Sequence, residues 1–108
     1  KPFRTLIDKV FSTLNNNLAG LNLLKIRNVN GDVLAYALSL PAGFYPINFE
    51  NITNIPANPV INYSVGYIIT NGSACTIAIY SRVTGELVTN TYATTWKGWK
   101  TNNTTAVS

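Results

Sequence analysis

The sequence predicts a mainly β domain carried behind one N-terminal helix, and three observations lead there. Apolar residues recur at helical spacing over residues 1–20. Turn-forming Asn-Gly and Gly-bearing stretches then punctuate short apolar runs down to residue 101, at the spacing of a small antiparallel β-sandwich or barrel. Charged residues make up only 11% of the 108, less than half the usual share of about 25%, so Asn, Thr and Ser carry solubility. The expected organisation is a helix over 1–20, one β domain over 21–101 and a flexible tail over 102–108.

The helix is framed by Pro2, suited to a first turn, and Gly20, suited to a stop. Between them Phe3, Ile7, Val10 and Leu14 fall on the a and d positions of a heptad seam, with Leu6, Phe11 and Leu18 alongside. Asn17 takes the next d position, where a polar residue fixes register and oligomer state. A helix of this length is marginal alone, so the stripe is expected to pack on something. The choices are other copies of the same helix or the β domain of its own chain.

The β region opens with Leu23 to Val29, Asn30-Gly31, and Asp32 to Leu38, which reads as a hairpin because both central positions of a type I′ turn need positive φ. Leu40 to Phe49 contains Pro41 and Pro46, which places it at a sheet edge or breaks it at its ends. Glu50 to Asn62 reads as a loop that Ile52 and Ile55 tack onto the core. Tyr63 to Thr70 is a strand closed by Asn71-Gly72-Ser73. Cys75 to Arg82 and Glu86 to Thr91 flank Val83-Thr84-Gly85 as a further hairpin, and Trp96 to Thr101 makes a last strand.

Several functions are excluded or disfavoured by what the chain lacks. It has no histidine, which removes His-based acid–base catalysis, Ser-His-Asp triads and His metal sites. Four acids, Asp8, Asp32, Glu50 and Glu86, sit in four separate segments, a poor basis for a glycosidase pair or a calcium site. Cys75 lies in a strand-like apolar run and reads as a buried small hydrophobe. The net charge of +4 comes from scattered bases, so no nucleic-acid footprint is expected. No apolar run approaches the roughly 20 residues of a membrane span, so no membrane insertion is expected either. The chain reads as a non-enzyme without cofactor or metal. Its start at Lys1, without Met, suits a piece of a longer protein.

Binding then falls to aromatics and amides. The ring pool is Tyr36, Tyr45, Tyr63, Tyr67, Tyr80, Tyr92, Trp96 and Trp99. Trp96 and Trp99 are three apart, so in a regular strand they face opposite sides. Since binding residues concentrate on loops held by a rigid scaffold, the ligand-reading candidates are Tyr80, Arg82, Thr84, Tyr92, Asn51, Asn54 and Asn71.

Two segments carry a resemblance: Leu40-Pro41-Ala42-Gly43-Phe44-Tyr45, and the closing Thr94-Thr95-Trp96-Lys97-Gly98-Trp99-Lys100. A P-x-G-F-Y strand, short strands with Thr/Ser/Asn turns, and a final T-W-x-x-W-K resemble the C-terminal knob, or receptor-binding tip, of bacteriophage tail and head fibres and of tail-like bacteriocins. The resemblance covers about residues 38 to 100. It implies a homotrimer whose N-terminal helices form a coiled coil, a place on the virion beside other virion proteins, and a receptor-binding tip with no particular receptor. The surface of neutral amides and hydroxyls suits carbohydrate contact and the positive balance suits anionic wall polymers, so a host bacterial surface polysaccharide or teichoic acid is the expected ligand. The resemblance also implies structural roles for Trp96 and Trp99. Pro46 departs from the pattern by removing a ladder donor. The other readings are a purely structural trimerisation or capping module, and a monomeric carbohydrate-binding module of a wall-degrading enzyme.

Overall fold

The computed structural model describes residues 2–20 and 25–102. Helix α1 runs Pro2–Gly20, followed by β1 (Arg27–Asp32), α2 (Val33–Ser39), β2 (Gly43–Thr53), β3 (Ser64–Thr70), β4 (Ala74–Tyr80), β5 (Leu87–Ala93), β6 (Thr95–Trp96) and β7 (Lys100–Asn102). The protein is mainly β, with the expected N-terminal helix. All strands join one sheet in the order β1-β2-β3-β4-β5-β6, and β7 also pairs with β5. A second sheet facing it is not found among the described residues.

The Asn30-Gly31 hairpin is not formed. Both residues lie inside β1, and Val33–Ser39 is helical. The physical reason is Asp32, whose carboxylate accepts hydrogen bonds from the backbone N–H of Leu34 (3.1 Å) and Ala35 (3.3 Å) and so caps α2. Val33 and Ala37, four apart, then share the buried face of α2, and Leu34, Tyr36 and Leu40 pack beside them. With a helix as crossover, β1 and β2 pair in parallel, so the sheet is mixed rather than antiparallel throughout.

β2 is longer than the sequence suggests and is central rather than an edge: it pairs with β1 on one side and β3 on the other. Pro46 is accommodated because β1 begins to pair only at Ile47, which leaves β2 with a single partner at the proline. Further on, Val29 pairs with Phe49 and Gly31 with Ile52, so β2 spends one extra residue there. That bulge turns Ile52 into the core after Ile47 and Phe49. Residues 50–53, expected in a loop, therefore belong to the strand, while Ile52 is buried and Ile55 packs against the core as expected.

The core lies between the sheet and α2 with the 54–63 loop, and Phe49, Ile47, Ile61, Ile68, Ile77 and Ile79 are its largest fully buried side chains. Cys75 is buried among them, and that burial pushes its thiol above the ordinary range, opposed by a backbone hydrogen bond at Tyr92.

The C-terminal edge is broken in a specific way. Tyr92 pairs with Trp96 and Thr89 with Lys100, so the edge strand carries one residue more than β5 between these points. Gly98 takes a left-handed φ of 97° there, its N–H donating to Oδ1 of buried Asn90 at 3.1 Å. The extra residue brings Trp96 and Trp99 to the same face, where both pack against the core, contrary to the opposite sides expected of a regular strand. Asn102 closes β7 and so is not part of a tail; residues 103–108 lie outside the described residues, as do residues 21–24, which include Leu23 and Leu24 of the expected first strand.

Helix α1 spans the predicted segment. Phe3 (75%), Leu6 (60%), Val10 (59%), Phe11 (61%) and Leu14 (52%) are well exposed, with Ile7 at 37%. The stripe is therefore not covered by the β domain of its own chain. The side chain of Asn17 lies outside the described residues.

Candidate functional site

The sheet has one buried and one open face, and its turns divide between two ends. At one end, Oδ1 of Asn71 accepts from the N–H of Ser73 (2.8 Å) and Ala74 (2.7 Å), closing the β3–β4 turn. Tyr92 lies near the same end, half-buried and edge-on to Trp96 at 5.3 Å between ring centroids. Asn71 thus serves its own turn and Tyr92 the core. The shallow groove beside them, about 320 Å³, is lined by Ile69, Thr76, Thr91 and the turn.

The other end gathers five of the seven predicted residues. The 81–86 loop is organised by Ser81, which is buried and donates its hydroxyl to the Val60 carbonyl at 2.7 Å. The same oxygen accepts from the N–H of Val83 and Thr84, both at 3.2 Å. Arg82 is pinned twice: its N–H donates to Oγ of Ser64 (3.1 Å) and its Nε to the Asn62 carbonyl (3.1 Å). Thr84 accepts from the Glu86 N–H at 3.2 Å. The loop is held by hydrogen bonds to two neighbouring segments, which presents Tyr80 at its base with 46% exposure.

Asn51 and Asn54 close the C-terminal end of β2. The N–H of Asn51 donates to Oδ1 of Asn30 at 3.1 Å, satisfying the backbone at the bulge. Asn54 sits at a left-handed φ of 66°, donates weakly from Nδ2 to Asp32 (3.4 Å), and accepts the indole N–H of Trp99 at its carbonyl.

Sequence reasoning missed a row of polar side chains along β1 and β2. Nδ2 of Asn48 donates to Oδ1 of Asn28 at 3.2 Å, and Nδ2 of Asn30 donates to Oε1 of Glu50 at 2.9 Å. Asn28-x-Asn30 and Asn48-x-Glu50 share the period-2 signature of one sheet face. That signal was present in the sequence but hidden by assigning Asn30-Gly31 to a turn and Glu50 to a loop.

Among the described residues no three His, Cys, Asp or Glu side chains group to hold a metal, and Cys75 is a free thiol buried in the core. No described helix is long and apolar enough to cross a membrane. Compared with known protein families, curated proteins and solved structures, the chain matches none.

Proposed function

We propose that this domain is a non-catalytic receptor-binding tip of a bacteriophage fibre, which trimerises through α1 as a coiled coil and binds a polysaccharide or teichoic acid on the host bacterial surface. The observation that carries the reading is the uncovered stripe of α1: Phe3, Leu6, Val10, Phe11 and Leu14 leave their apolar surface to water in the single chain. Association of like helices through Phe3, Ile7, Val10 and Leu14 removes that cost. The resemblance of Pro41 to Tyr45 and of Trp96 to Lys100 to fibre-tip landmarks supplies the setting. The rigid end that carries Tyr80, Arg82, Thr84, Asn51 and Asn54 supplies the ligand-facing surface. Three weak sites on one trimer act together, so shallow contacts suffice for firm attachment.

The test is sedimentation of the fluorescently labelled chain with a panel of bacterial cell walls, competed by soluble wall polysaccharide. Retention on the walls of some hosts and release by the polysaccharide support the reading. Absence of retention on every wall leaves only a trimerising or capping role.

A further inference from the structure

The open face of the sheet holds one continuous row set by strand register: Asn28 pairs with Asn48, Asn48 with Val65, and Val65 with Tyr80. Residues paired in register point to the same face. With strands about 4.8 Å apart, the row crosses four strands and runs about 14 Å. It changes character along its length, from amides at β1 and β2 to an exposed aliphatic and an exposed aromatic side chain at β3 and β4.

The amides are held in place with capacity to spare. Asn48 uses its Nδ2 on Asn28, which leaves the Asn48 Oδ1 as an acceptor and the Asn28 Nδ2 as a donor without a partner among the described residues. Glu50, two residues along on the same face, gives one carboxylate oxygen to Asn30 and keeps the other. Val65 (55% exposed) and Tyr80 (46%) lie beside this fixed set as a low apolar step. A pyranose presents matching features, with hydroxyls around its rim and a C–H face that stacks on an aromatic ring. The row carries a carboxylate close by and no cation of its own. Arg27, beside Asn28 in the chain, pairs with buried Ile47 and lies over the Tyr45 ring at 4.6 Å, on the other face. Arg82, two residues beyond Tyr80, gives its Nε to the Asn62 carbonyl and stands at the aromatic end of the row, away from the amides. A polyanion lying on the amide end of the row would meet the Glu50 carboxylate.

We infer that this row is a glycan-binding platform for an uncharged oligosaccharide, with the Asn28–Asn48 pair and Glu50 reading hydroxyls and Tyr80 with Val65 seating a C–H face. The inference rests on the receptor-binding reading and narrows it to a neutral polysaccharide rather than a phosphate-rich wall polymer.

The experiment uses the full chain, isotope-labelled, with nuclear magnetic resonance of the Asn side-chain amides and the Tyr rings. The probes are uncharged hexasaccharides of glucose, galactose and N-acetylglucosamine, and polyglycerol phosphate. The expected result is that an uncharged hexasaccharide moves the Asn28, Asn48 and Tyr80 signals together, that Tyr80→Ala weakens binding about tenfold, and that Tyr80→Phe, which keeps the ring, retains it. Asn48→Ala serves as an independent check, with the unchanged amide spectrum elsewhere certifying the fold. Response to polyglycerol phosphate alone, shifts confined to other residues, or silence with every uncharged probe overturns the platform. So does movement of these signals with protein concentration alone, which would mean that a second copy covers the face. Cell-wall retention unchanged by Tyr80→Ala overturns this site while leaving receptor binding intact; loss of retention by the unaltered chain defeats the receptor reading itself.

Discussion

The indole N–H of Trp99 donates to the backbone carbonyl of Asn54 at 3.1 Å, joining the C-terminal edge to a loop 45 residues earlier. Asn54 in turn reaches Asp32 at the start of α2, so the tail, the long loop and the capped helix are tied at one corner. Trp99→Phe keeps ring packing and removes this bond, and is expected to cost about 1 kcal/mol in urea unfolding. Trp99→Ala removes the packing as well and is expected to cost about 2 kcal/mol or more. Equal losses in the two variants would mean that the ring contributes nothing to the core.

Gly66 is required for a different reason from the turn glycines. Its backbone is ordinary, but a Cβ there would overlap the carbonyl oxygen of Ala78 on β4. Backbone cannot swing aside as a side chain does, so Gly66→Ala must part β3 from β4 and is expected to cost about 3 kcal/mol or more. Gly72, at a left-handed φ of 93° with open space around it, should lose only about 1 kcal/mol on substitution by Ala. Thermal unfolding of the two variants side by side checks the ranking.

Asp32 decides between a hairpin and a helix over the next seven residues. Asp32→Ala removes the acceptor for two N–H groups and should destabilise the domain by about 1 kcal/mol, whereas Asp32→Asn keeps an acceptor and should stay close to the parent. The readout is the denaturation midpoint.

The same residue explains where the sequence was legible. Strands β3, β4 and β5 were readable because alternation and the turns at Asn71-Gly72 and Gly85 agree with each other. Asn30-Gly31 misled because a positive-φ glycine serves a strand irregularity as well as a turn, and only Asp32 facing the N–H groups of Leu34 and Ala35 reveals which. The inward turn of both Trp96 and Trp99 was invisible to period-2 reasoning, since it depends on one extra residue held by Asn90. For the candidate site, the clustering of Tyr80, Arg82 and Thr84 followed from their loop. That Asn51 and Asn54 lie at the same end of the sheet required the register of β2 against β3.

Cys75 gives the domain a dependence on alkaline pH. Burial favours the neutral thiol, so the folded value lies above the ordinary one and the folded state holds the proton more tightly than the unfolded chain. The stability this contributes is fully present below the ordinary thiol range and is lost as pH rises through it towards the raised folded value. The parent should therefore lose stability across that window more steeply than Cys75→Ala, compared by urea unfolding at matched pH. Labelling of the thiol in native protein should be slow and should speed up on unfolding; rapid native labelling would contradict the burial.

The stripe on α1 makes the most direct prediction about assembly. An isolated helix of 19 residues is marginal in water, and its exposed Phe3, Val10 and Leu14 add an unfavourable apolar surface. Mutual burial in a trimer answers both problems at once, so light scattering should return a mass near three chains of 11.8 kDa. Ile7→Asp or Val10→Asp places a carboxylate on the seam and should reduce the mass to a single chain. Because helix and assembly depend on each other, the helical circular dichroism signal should fall in the same step while the β domain keeps its unfolding midpoint. Lys9→Ala, off the seam, should leave mass and helicity unchanged. A parent chain that stays at a single-chain mass as concentration rises, with its helical signal intact, would show that the stripe does not mediate self-association.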